Sequence, residues 1–402
     1  MMEDLLVYEL EELHARTYAE LLELRQDEEG FQTETSIDQN HVERDILELY
    51  KLKKKPILMR EKHINLLRKS LFRFDESYGF LDCSRPWRCY WVLHSLQLLG
   101  VRLEAHEYSY IVNFLAKCQS PEGGFGGGPG QYPHLASTYA AVNALCIIGT
   151  PEAYQVIDRK GLKHFLMASR DEDGSFKMHV DGEVDIRGIY CALSVAKLTN
   201  VYTPEMFKGS AEWIATCQTW EGGFAGYPGA EAHGGYSYCG LAALVLLGQT
   251  SFFCLKSFLR WVVNRQRRLE GGFEGRTNKL VDGCYSFWQG GAFPLIHGIL
   301  ANETPGFDSK YWLFDQKALQ EYVLICCQHP LGGLLDKPEK NADMYHTCYD
   351  LSGLAIAQHS PKPLVVGPVD SNAVKVVQPL YNLQSVYGYQ AMTNFSKLSI
   401  PD

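Results

Sequence analysis

The chain has no long apolar run and no cluster of basic residues. No stretch approaches the roughly 18 consecutive apolar residues of a membrane-spanning helix, so no span is expected. The longest Lys/Arg run covers only residues 53–55, and the formal net charge is −9, so the basic surface that binds nucleic acid is missing. The acidic N-terminal segment has neither a basic start nor an apolar centre, which argues against a secretory signal. Any anionic ligand must therefore be bound by a few local cations.

The cysteines do not have the spacing of a disulfide framework. The chain has twelve in 402 residues, and most fall inside apolar helical patterns: Cys118, Cys146, Cys191, Cys217 and Cys239. Such cysteines are typical of buried thiols in a reducing compartment. We therefore expect a cytoplasmic protein.

Alternating strand patterns are also missing, whereas a helical repeat is clear. A Gly-Gly-Phe turn or a close variant recurs about every 50 residues, with a last gap of about 60. The second glycines of these turns are Gly124, Gly174, Gly223, Gly272 and Gly333. The helical pattern after each turn carries an aromatic residue, and the same register extends back to one earlier repeat. These anchor aromatics are Tyr90, Tyr139, Tyr190, Tyr238, Phe287 and Tyr349.

The repeat predicts an all-α fold, an α6-α6 (α/α toroid) barrel of six helical hairpins over residues 59–360. The first helices of the hairpins should begin near Arg60, Ala105, Pro151, Thr203, Ser251 and Asp315. Residues 1–58 are expected to form an N-terminal extension with a helix from Asn40 to Lys53, and residues 361–402 a tail that packs on the barrel or on a partner. Periodicity alone also allows an open, HEAT-like array that binds proteins.

Chemistry-bearing residues collect three and five positions before the anchor aromatics, where the second helices begin. Asp282 and Cys284 lie there in the fifth repeat, and His346 lies there in the sixth. One carboxylate, one thiolate and one imidazole with a fourth position open is the ligand set of catalytic zinc. Asp-x-Cys is a weak motif, and the alternative is a core thiol, a helix cap and a packed imidazole ring.

Two further groups suggest a substrate with an anionic head and an apolar body. His233, Arg276, Lys279 and the phenol of Tyr285 could bind a pyrophosphate, or they could be ordinary residues of a solvated turn. Aromatic residues near the same helix starts could line an apolar funnel, although such residues usually belong to the core. They include Trp87, Tyr190, Tyr236 and Trp288.

Five motifs resemble the protein farnesyltransferase β-subunit family. They cover residues 119–131, 231–236, 279–288, 332–338 and 345–349, within a resemblance that extends over roughly residues 35 to 390. The resemblance implies the catalytic β subunit of a heterodimer with a helical α subunit. Its reaction would transfer farnesyl from farnesyl diphosphate to the cysteine of a C-terminal CaaX motif, in proteins such as small GTPases, forming a thioether and releasing diphosphate.

The resemblance also implies roles for individual residues. Asp282, Cys284 and His346 would bind Zn²⁺, which activates the acceptor thiol, and Asp336 would position Mg²⁺ on the diphosphate. The diphosphate itself would be bound by His233, Arg276, Lys279 and Tyr285, with Gly234 and Gly235 in the same motif as His233. The isoprenoid would pass Arg187, Tyr190, Tyr236 and Trp288.

The length of the isoprenoid substrate separates the farnesyl family from a related family, the type I geranylgeranyltransferase β subunits. Trp87 and Tyr349 match the bulky pair that closes the pocket in the farnesyl family, so farnesyl is favoured and geranylgeranyl is the alternative. Ser137 and Cys83 depart from the family's usual pattern, which leaves the preference for the last CaaX residue open. A terpene cyclase is disfavoured because no Asp-x-Asp-Asp or Asp-Asp-x-x-Asp motif occurs. A glycosidase is disfavoured because Asp185 and Asp282 make a poor acid/base pair.

Overall fold

The computed structural model describes residues 11–25, 31–52, 54–72, 82–307 and 310–402. The chain divides into two compact units. Unit 1 contains Met1–Leu66 and Val262–Val376, and unit 2 contains Leu67–Trp261 and Val377–Asp402. Both are mainly helical, as the repeat predicts.

The elements follow the repeat in chain order. Before it come β1 (Glu11–Leu13), α1 (Tyr18–Leu24) and α2 (Glu34–Lys51). The first three hairpins are α3 (Arg60–Phe72) with α4 (Arg85–Leu98), α5 (Ala105–Cys118) with α6 (Leu135–Ile148), and α7 (Pro151–Val156) plus α8 (Arg159–Ser169) with α9 (Ile186–Leu198).

The last three hairpins have irregular first helices. The fourth has a 3₁₀ turn (Pro204–Phe207) and α10 (Ser210–Thr216), followed by α11 (Gly234–Leu247). The fifth has a 3₁₀ turn (Thr250–Phe252) and α12 (Leu255–Val263), followed by α13 (Tyr285–Trp288) and α14 (Ala292–Glu303). The sixth has α15 (Gln316–Glu321), which continues into a π-helical turn (Tyr322–Cys326), followed by α16 (Met344–Gln358). The tail adds β2 (Leu364–Val366), α17 (Val369–Asn372) and α18 (Ser385–Phe395).

The N-terminal helix begins earlier than predicted. It starts at Glu34, not at Asn40, and ends at Lys51. A capping box explains the difference: Ser36 N donates to Thr33 Oγ1 at 3.1 Å, and Thr33 N donates to Ser36 Oγ at 2.8 Å. These two bonds satisfy backbone N–H groups that a helix start otherwise leaves unpaired.

The second helices of the first four repeats form the interior of unit 2. Helices α4, α6, α9 and α11 pack side by side in chain order. Nearly every residue of α6 is buried, and α11 contributes Gly240, Ala242 and Ala243 to the same packing. Small residues let neighbouring helices approach closely, so a helix buried on all sides is what the sequence requires here.

The second helix of the fifth repeat is interrupted. Helix α13 ends at Trp288 and α14 begins at Ala292, with Gly290 and Gly291 between them. Pro294 cannot donate to the carbonyl of residue 290, and the two glycines lower the cost of leaving helical geometry. The repeat pattern did not predict this break.

A recurring glutamine joins one hairpin to the following hairpin in four repeats. Its Oε1 accepts a hydrogen bond from a backbone N–H that lies just before a helix of the following hairpin. Gln119 accepts from Asp158 (3.0 Å), Gln218 from Cys254 (2.8 Å), Gln266 from Asp315 (2.9 Å) and Gln328 from Met59 (2.7 Å). The last bond lies within unit 1 and links the sixth repeat back to the first.

Two features lie outside the repeat pattern. Strands β1 and β2 form a parallel pair of three residues each, with Leu13 opposite Val366. Their pairing ties the N-terminal segment to the start of the tail within unit 1. In the described part of the chain, no helix is both long enough and apolar enough to cross a membrane.

Candidate functional site

The second helices begin with a shared capping arrangement. In four repeats the side chain five positions before the anchor aromatic accepts the backbone N–H two residues on, from Ala136 to His134 (3.1 Å), Arg187 to Asp185 (2.9 Å), Gly235 to His233 (3.0 Å) and Cys284 to Asp282 (2.8 Å). In these four helix starts the cap therefore fixes the capping side chain beside the residue two positions on.

Three of the predicted residues form a compact cluster in unit 1. One donor atom each from Asp282, Cys284 and His346 lies within 4.8 Å of the others. Nε2 of His346 is 3.2 Å from Oδ1 of Asp282, and Cys284 is buried. Asp282 thus acts as a helix cap and faces the imidazole as well, so its role as a cap does not exclude a role as a metal ligand.

Asp343 holds the imidazole in place, and the sequence analysis missed it. Oδ2 of Asp343 lies 2.7 Å from Nδ1 of His346, and Oδ1 accepts the His346 backbone N–H at 2.7 Å. The cap of the sixth repeat therefore sits one residue earlier than Met344, where the repeat register places it. An Asp three residues before a predicted ligand histidine was the signal that could have revealed it.

The protonation of the cluster follows from burial and from its close charges. Burial raises the pKa of Asp282, but the hydrogen bond and charge of His346 outweigh it and hold that pKa below its ordinary value. Burial alone would lower the pKa of His346, yet its bonds to Asp282 and Asp343 raise it to about 11. Burial raises the pKa of the Cys284 thiol well above its ordinary value, and the Asp282 carboxylate adds to the effect.

The carboxylate, thiol and imidazole of this cluster are groups that could hold a metal ion such as zinc. With ordinary zinc–ligand bond lengths, two ligands of a tetrahedral site lie about 3.3 to 3.8 Å apart, so the 3.2 Å separation of the Asp282 and His346 atoms is close to that spacing. Asp343 supplies the carboxylate behind the histidine that such sites commonly have. Three protein ligands leave one coordination position for a substrate atom.

A buried carboxyl group lies directly behind two of the candidate ligands. Among the described residues, neither oxygen of Asp350 has a hydrogen-bond partner, and the side chain is fully buried. A Cβ on Gly283 would lie 2.6 Å from both oxygens, so only glycine fits between Asp282 and Cys284. Burial raises the pKa of Asp350 well above its ordinary value.

Asp336 lies in the same unit and is paired with a lysine. Both of its oxygens are 2.5 Å from Nζ of Lys337, and its backbone carbonyl accepts the Gly283 N–H at 2.7 Å. The carbonyl also accepts the Tyr322 hydroxyl at 2.7 Å. The predicted magnesium ligand is thus hydrogen-bonded to the backbone between the candidate metal ligands Asp282 and Cys284, and its carboxylate is paired with Lys337.

A tight turn in unit 1 presents Arg276 and Lys279. The turn is closed by the bridge between Glu274 and Val281, and Asn278 has a left-handed backbone with φ 59°. A Cβ on Gly275 would lie 2.0 Å from the ring of Tyr285, so this phenol rests against the turn. The structure therefore brings Tyr285 to the turn that carries the two cations.

Buried ion pairs hold this turn from below. Nη1 of Arg265 is 2.8 Å from Oε1 of Glu274 and donates to Thr277 Oγ1 at 2.6 Å. Arg267 contacts the other oxygen of Glu274 at 3.3 Å. Two guanidinium groups on one buried carboxylate limit the freedom of the turn, because the Glu274 side chain is held from two sides.

Three aromatic side chains pack beside the cluster of candidate metal ligands. The rings of Trp288 and Tyr349 are 4.4 Å apart, and those of Tyr345 and Tyr349 are 4.8 Å apart. Trp288 Nε1 donates to the Tyr345 hydroxyl at 2.9 Å. Tyr345, which precedes His346, is a second residue that the sequence analysis missed.

The other predicted residues belong to unit 2. Arg187 pairs with Asp185 at 2.6 Å, and its guanidinium lies 5.7 Å from the ring centre of Tyr236. His233 lies 5.0 Å from the Tyr236 ring, and a Cβ on Gly235 would lie 3.4 Å from the His233 ring. Gly234 is the first residue of α11 and is buried. This unit therefore offers one cation, one imidazole and one phenol at neighbouring helix starts.

Trp87 and the anchor tyrosines form a continuous aromatic group in unit 2. Trp87 contacts Tyr90 at 6.0 Å edge-on, Trp91 at 5.5 Å and Tyr139 at 5.6 Å between ring centres. Tyr190 continues the group at 5.5 Å from Tyr139. Trp87 is thus held by rings on both α4 and α6.

Comparison with known proteins identifies the fold and the relatives. A family model described as the prenyltransferase alpha-alpha toroid domain matches residues 58–383. The protein farnesyltransferase subunit beta of Arabidopsis thaliana is 39% identical over 388 residues, covering 81% of this chain and 80% of that one. The geranylgeranyl transferase type-1 subunit beta of the same plant is 29% identical over 334 residues, covering 74% and 85%.

One solved structure supports the same fold. Candida albicans protein geranylgeranyltransferase-I, complexed with GGPP, matches with a TM-score of 0.71 and 23% sequence identity, over 85% of this chain and 100% of that one. The prediction of an all-α, α/α toroid fold is confirmed. Similarity is higher to the farnesyl than to the geranylgeranyl relative.

Proposed function

The chain belongs to the protein farnesyltransferase β-subunit family of prenyltransferases, and from this premise we propose that it transfers farnesyl from farnesyl diphosphate to the cysteine of a C-terminal CaaX motif. The observation that carries the proposal is the cluster of Asp282, Cys284 and His346, whose donor atoms lie within 4.8 Å of one another. Such a ligand set with an open position suits the activation of a thiol.

The three residues would hold zinc. When bound, zinc lowers the pKa of a coordinated thiol far below its free value of about 8.5. Asp343 keeps the His346 ring turned so that Nε2 is the nitrogen offered to the ion. The acceptor sulfur then forms a bond to C1 of the farnesyl chain as the C1–O bond breaks, and diphosphate leaves with both bonding electrons.

Diphosphate needs donors that neutralise its growing charge. Arg276, Lys279 and Tyr285 of unit 1, together with His233 of unit 2, are the groups we assign to it. Asp336 would hold Mg²⁺, which would supply further positive charge to the diphosphate. Nζ of Lys337 lies 2.5 Å from both Asp336 oxygens, so this side chain would have to move for Asp336 to serve as a metal ligand.

The isoprenoid would be bound by aromatic rings and one aliphatic stem. We assign it Tyr190, Tyr236, Trp288 and the methylene groups of Arg187. Trp87 and Tyr349 would close the pocket and limit chain length, because five more carbons would collide with their rings. Both side chains are held by neighbouring rings, which is what a steric ruler requires.

We assign the barrel to residues 59–360, the N-terminal extension to residues 1–58 and the tail to residues 361–402. The active form would be a heterodimer with a farnesyltransferase α subunit, in the cytoplasm, acting on CaaX proteins such as small GTPases. The Arabidopsis relative's description as a subunit supports the need for a partner.

The test is prenyl transfer by the chain co-expressed with an α subunit. A CaaX peptide should gain a farnesyl thioether from farnesyl diphosphate, and a peptide with Ser in place of Cys should not. Arg276→Ala should raise KM for farnesyl diphosphate by roughly tenfold or more, since it removes a charge-assisted contact. Arg268→Ala, an exposed arginine in the same segment, is the matched control. Transfer to the Ser peptide, or an equal effect of both variants, would contradict the assignment.

A further inference from the structure

Four anchor tyrosines of unit 2 bind four consecutive carbonyl groups of the tail. The hydroxyls of Tyr90, Tyr139, Tyr190 and Tyr238 donate to the carbonyls of Asn382 (2.8 Å), Tyr381 (3.0 Å), Leu380 (2.9 Å) and Pro379 (2.5 Å). Each repeat contributes one hydroxyl, and the tail runs past them in the reverse order. We call residues 379–382 the tail turn.

These bonds satisfy the hydroxyl donors of the four tyrosines. The four side chains are between 0% and 3% exposed, so water does not compete for them. The hydroxyls of Tyr139 and Tyr190 are 3.3 Å apart and those of Tyr190 and Tyr238 are 3.1 Å apart, but each hydroxyl has a single hydrogen, which it donates to its carbonyl. Removing a hydroxyl therefore leaves a buried carbonyl with one partner fewer.

The tail turn is shaped to present its carbonyls. Gln378 N donates to the Leu383 carbonyl at 2.6 Å, Asn382 N donates to the Gln378 carbonyl at 3.1 Å, and Tyr381 N donates to Gln378 Oε1 at 3.0 Å. Asn382 has a left-handed backbone with φ 51°, which asparagine tolerates well. The acceptors of these bonds belong to Gln378 and Leu383, so the carbonyls of residues 379–382 remain available to the tyrosines.

The tyrosines at one end of this ladder also flank Trp87. The ring centres of Tyr90 and Tyr139 lie 6.0 and 5.6 Å from that of Trp87. Their hydroxyl ends are fixed by the carbonyls of Asn382 and Tyr381, so neither ring can tilt without breaking a buried hydrogen bond. His94, one turn beyond Tyr90 on α4, reinforces the same place through a 3.1 Å contact with Asn382 Oδ1.

We propose that the tail turn is a positioning element for isoprenoid chain length: by holding Tyr90 and Tyr139 it keeps Trp87 in the position that rejects a longer chain. The inference rests on the proposed function of Trp87 as the steric ruler. A twenty-carbon isoprenoid fits only if Trp87 moves, and Trp87 moves only if the two rings beside it yield. Specificity at the pocket end is thus set partly by the tail, far away in sequence.

The experiment compares Tyr→Phe variants that each remove one hydroxyl and keep the ring. The heterodimer with an α subunit is assayed for kcat/KM with farnesyl and with geranylgeranyl diphosphate. Tyr90→Phe and Tyr139→Phe should each lower the farnesyl-to-geranylgeranyl ratio by about tenfold. Tyr238→Phe is the matched control, since it removes a bond of the same ladder on α11, with α6 and α9 between α11 and α4. It should lower Tm and leave the ratio unchanged.

Trp87→Thr supplies the reference and separates the two levels of the argument. It should relax the ratio most, and adding Tyr90→Phe to it should change the ratio no further, because both act through one side chain. If Trp87→Thr relaxes the ratio and neither tyrosine variant does, the tail turn has no such role. An equal shift in Tyr238→Phe would also overturn the proposal, since general loosening would then explain it.

Failure of the ruler itself gives a different result. If Trp87→Thr keeps farnesyl transfer and the original ratio, the length assignment of Trp87 is wrong and this inference falls with it, while prenyl transfer stands. Each tyrosine variant is read separately, so a variant that does not assemble leaves the other to decide.

Discussion

The second helices of the third and fifth repeats begin with the same capping hydrogen bond but carry different side chains beside it. In unit 2, Asp185 accepts the Arg187 N–H at 2.9 Å and pairs with the guanidinium of the same residue at 2.6 Å. In unit 1, Asp282 accepts the Cys284 N–H at 2.8 Å and faces His346 at 3.2 Å. One carboxylate is neutralised by its own helix start, whereas the other stands beside a thiol and an imidazole. Both helix starts share the same capping hydrogen bond, and the residue two positions after the aspartate, Arg187 or Cys284, determines which chemical group lies beside the carboxylate.

Two buried histidines, His346 in unit 1 and His94 in unit 2, have opposite pKa shifts. His346 lies between two carboxylates, which raise its pKa to about 11, whereas burial without a charged partner lowers the pKa of His94 to about 4. The carboxylates beside His346 favour a positive charge on or beside the imidazole, whereas burial keeps the His94 imidazole neutral. Burial also lowers the pKa of His63 in unit 1 to about 4, so the close carboxylates, and not the unit, distinguish His346.

Loss of the Cys284 thiol should have the largest effect on metal binding in unit 1. Cys284→Ala removes one of three zinc ligands, so zinc affinity should fall by more than about a hundredfold, beyond the effect of losing an outer partner. The measurement is zinc per heterodimer after dialysis, by atomic absorption. Cys239→Ala, a buried thiol beside the Tyr238 anchor, should keep its zinc. Full zinc content in Cys284→Ala would rule out the cluster.

The reverse substitution asks whether Asp-x-Cys is sufficient. Arg187→Cys gives the third repeat the same pair as the fifth, but its equivalent of His346 in the next repeat is Gly235. Zinc content should therefore not rise. A second tightly bound zinc would show that two ligands suffice and would break the comparison.

Removing the carboxylate behind the imidazole should have a smaller effect. Asp343→Asn keeps the shape and weakens the bond to His346 Nδ1, so zinc affinity should fall by about 10- to 100-fold. A competition titration with a zinc chelator measures it. A variant with unchanged affinity would show that the ring is oriented by packing alone.

Acid should act on the buried histidine of unit 2. The folded pKa of His94 is about 4 against 6.5 unfolded, so its contribution to stability is present above pH 6.5 and is lost as pH falls towards 4. The full loss is about 3 kcal/mol, from the 2.5-unit difference in pKa. His94→Gln, which can still donate to Asn382 Oδ1, should flatten this pH dependence in denaturant titrations. Equal slopes for both proteins would contradict the assignment, since His63 would then carry the acid effect alone.

The repeat made much of the fold predictable, and also the proximity of the three candidate metal ligands. Equivalent positions in successive repeats pointed to Asp282, Cys284 and His346, because a repeated backbone places equivalent residues at equivalent sites. The repeated glutamine was visible too, although its bond to the next hairpin was not. Local period and spacing were sufficient for these features.

Other features depend on exceptions to the repeat or on long-range contacts. The cap of the sixth repeat slips by one residue to Asp343, which hid the partner of His346. Pro294 breaks the fifth second helix, and Thr33 starts α2 earlier than its apolar pattern suggests. The tail turn meets tyrosines about 140 to 290 residues away through backbone carbonyls, which carry no sequence signature.

The most direct test of the account is whether the Asp282, Cys284 and His346 cluster binds a metal that takes up the acceptor thiol. The heterodimer with an α subunit is loaded with Co²⁺ in place of zinc, and its absorption is recorded as a CaaX peptide is added. The account predicts one metal ion per heterodimer and a cobalt–thiolate absorption that grows with the Cys peptide but not with its Ser counterpart, followed by farnesyl transfer. No bound metal, or an absorption that ignores the peptide's thiol, would contradict it.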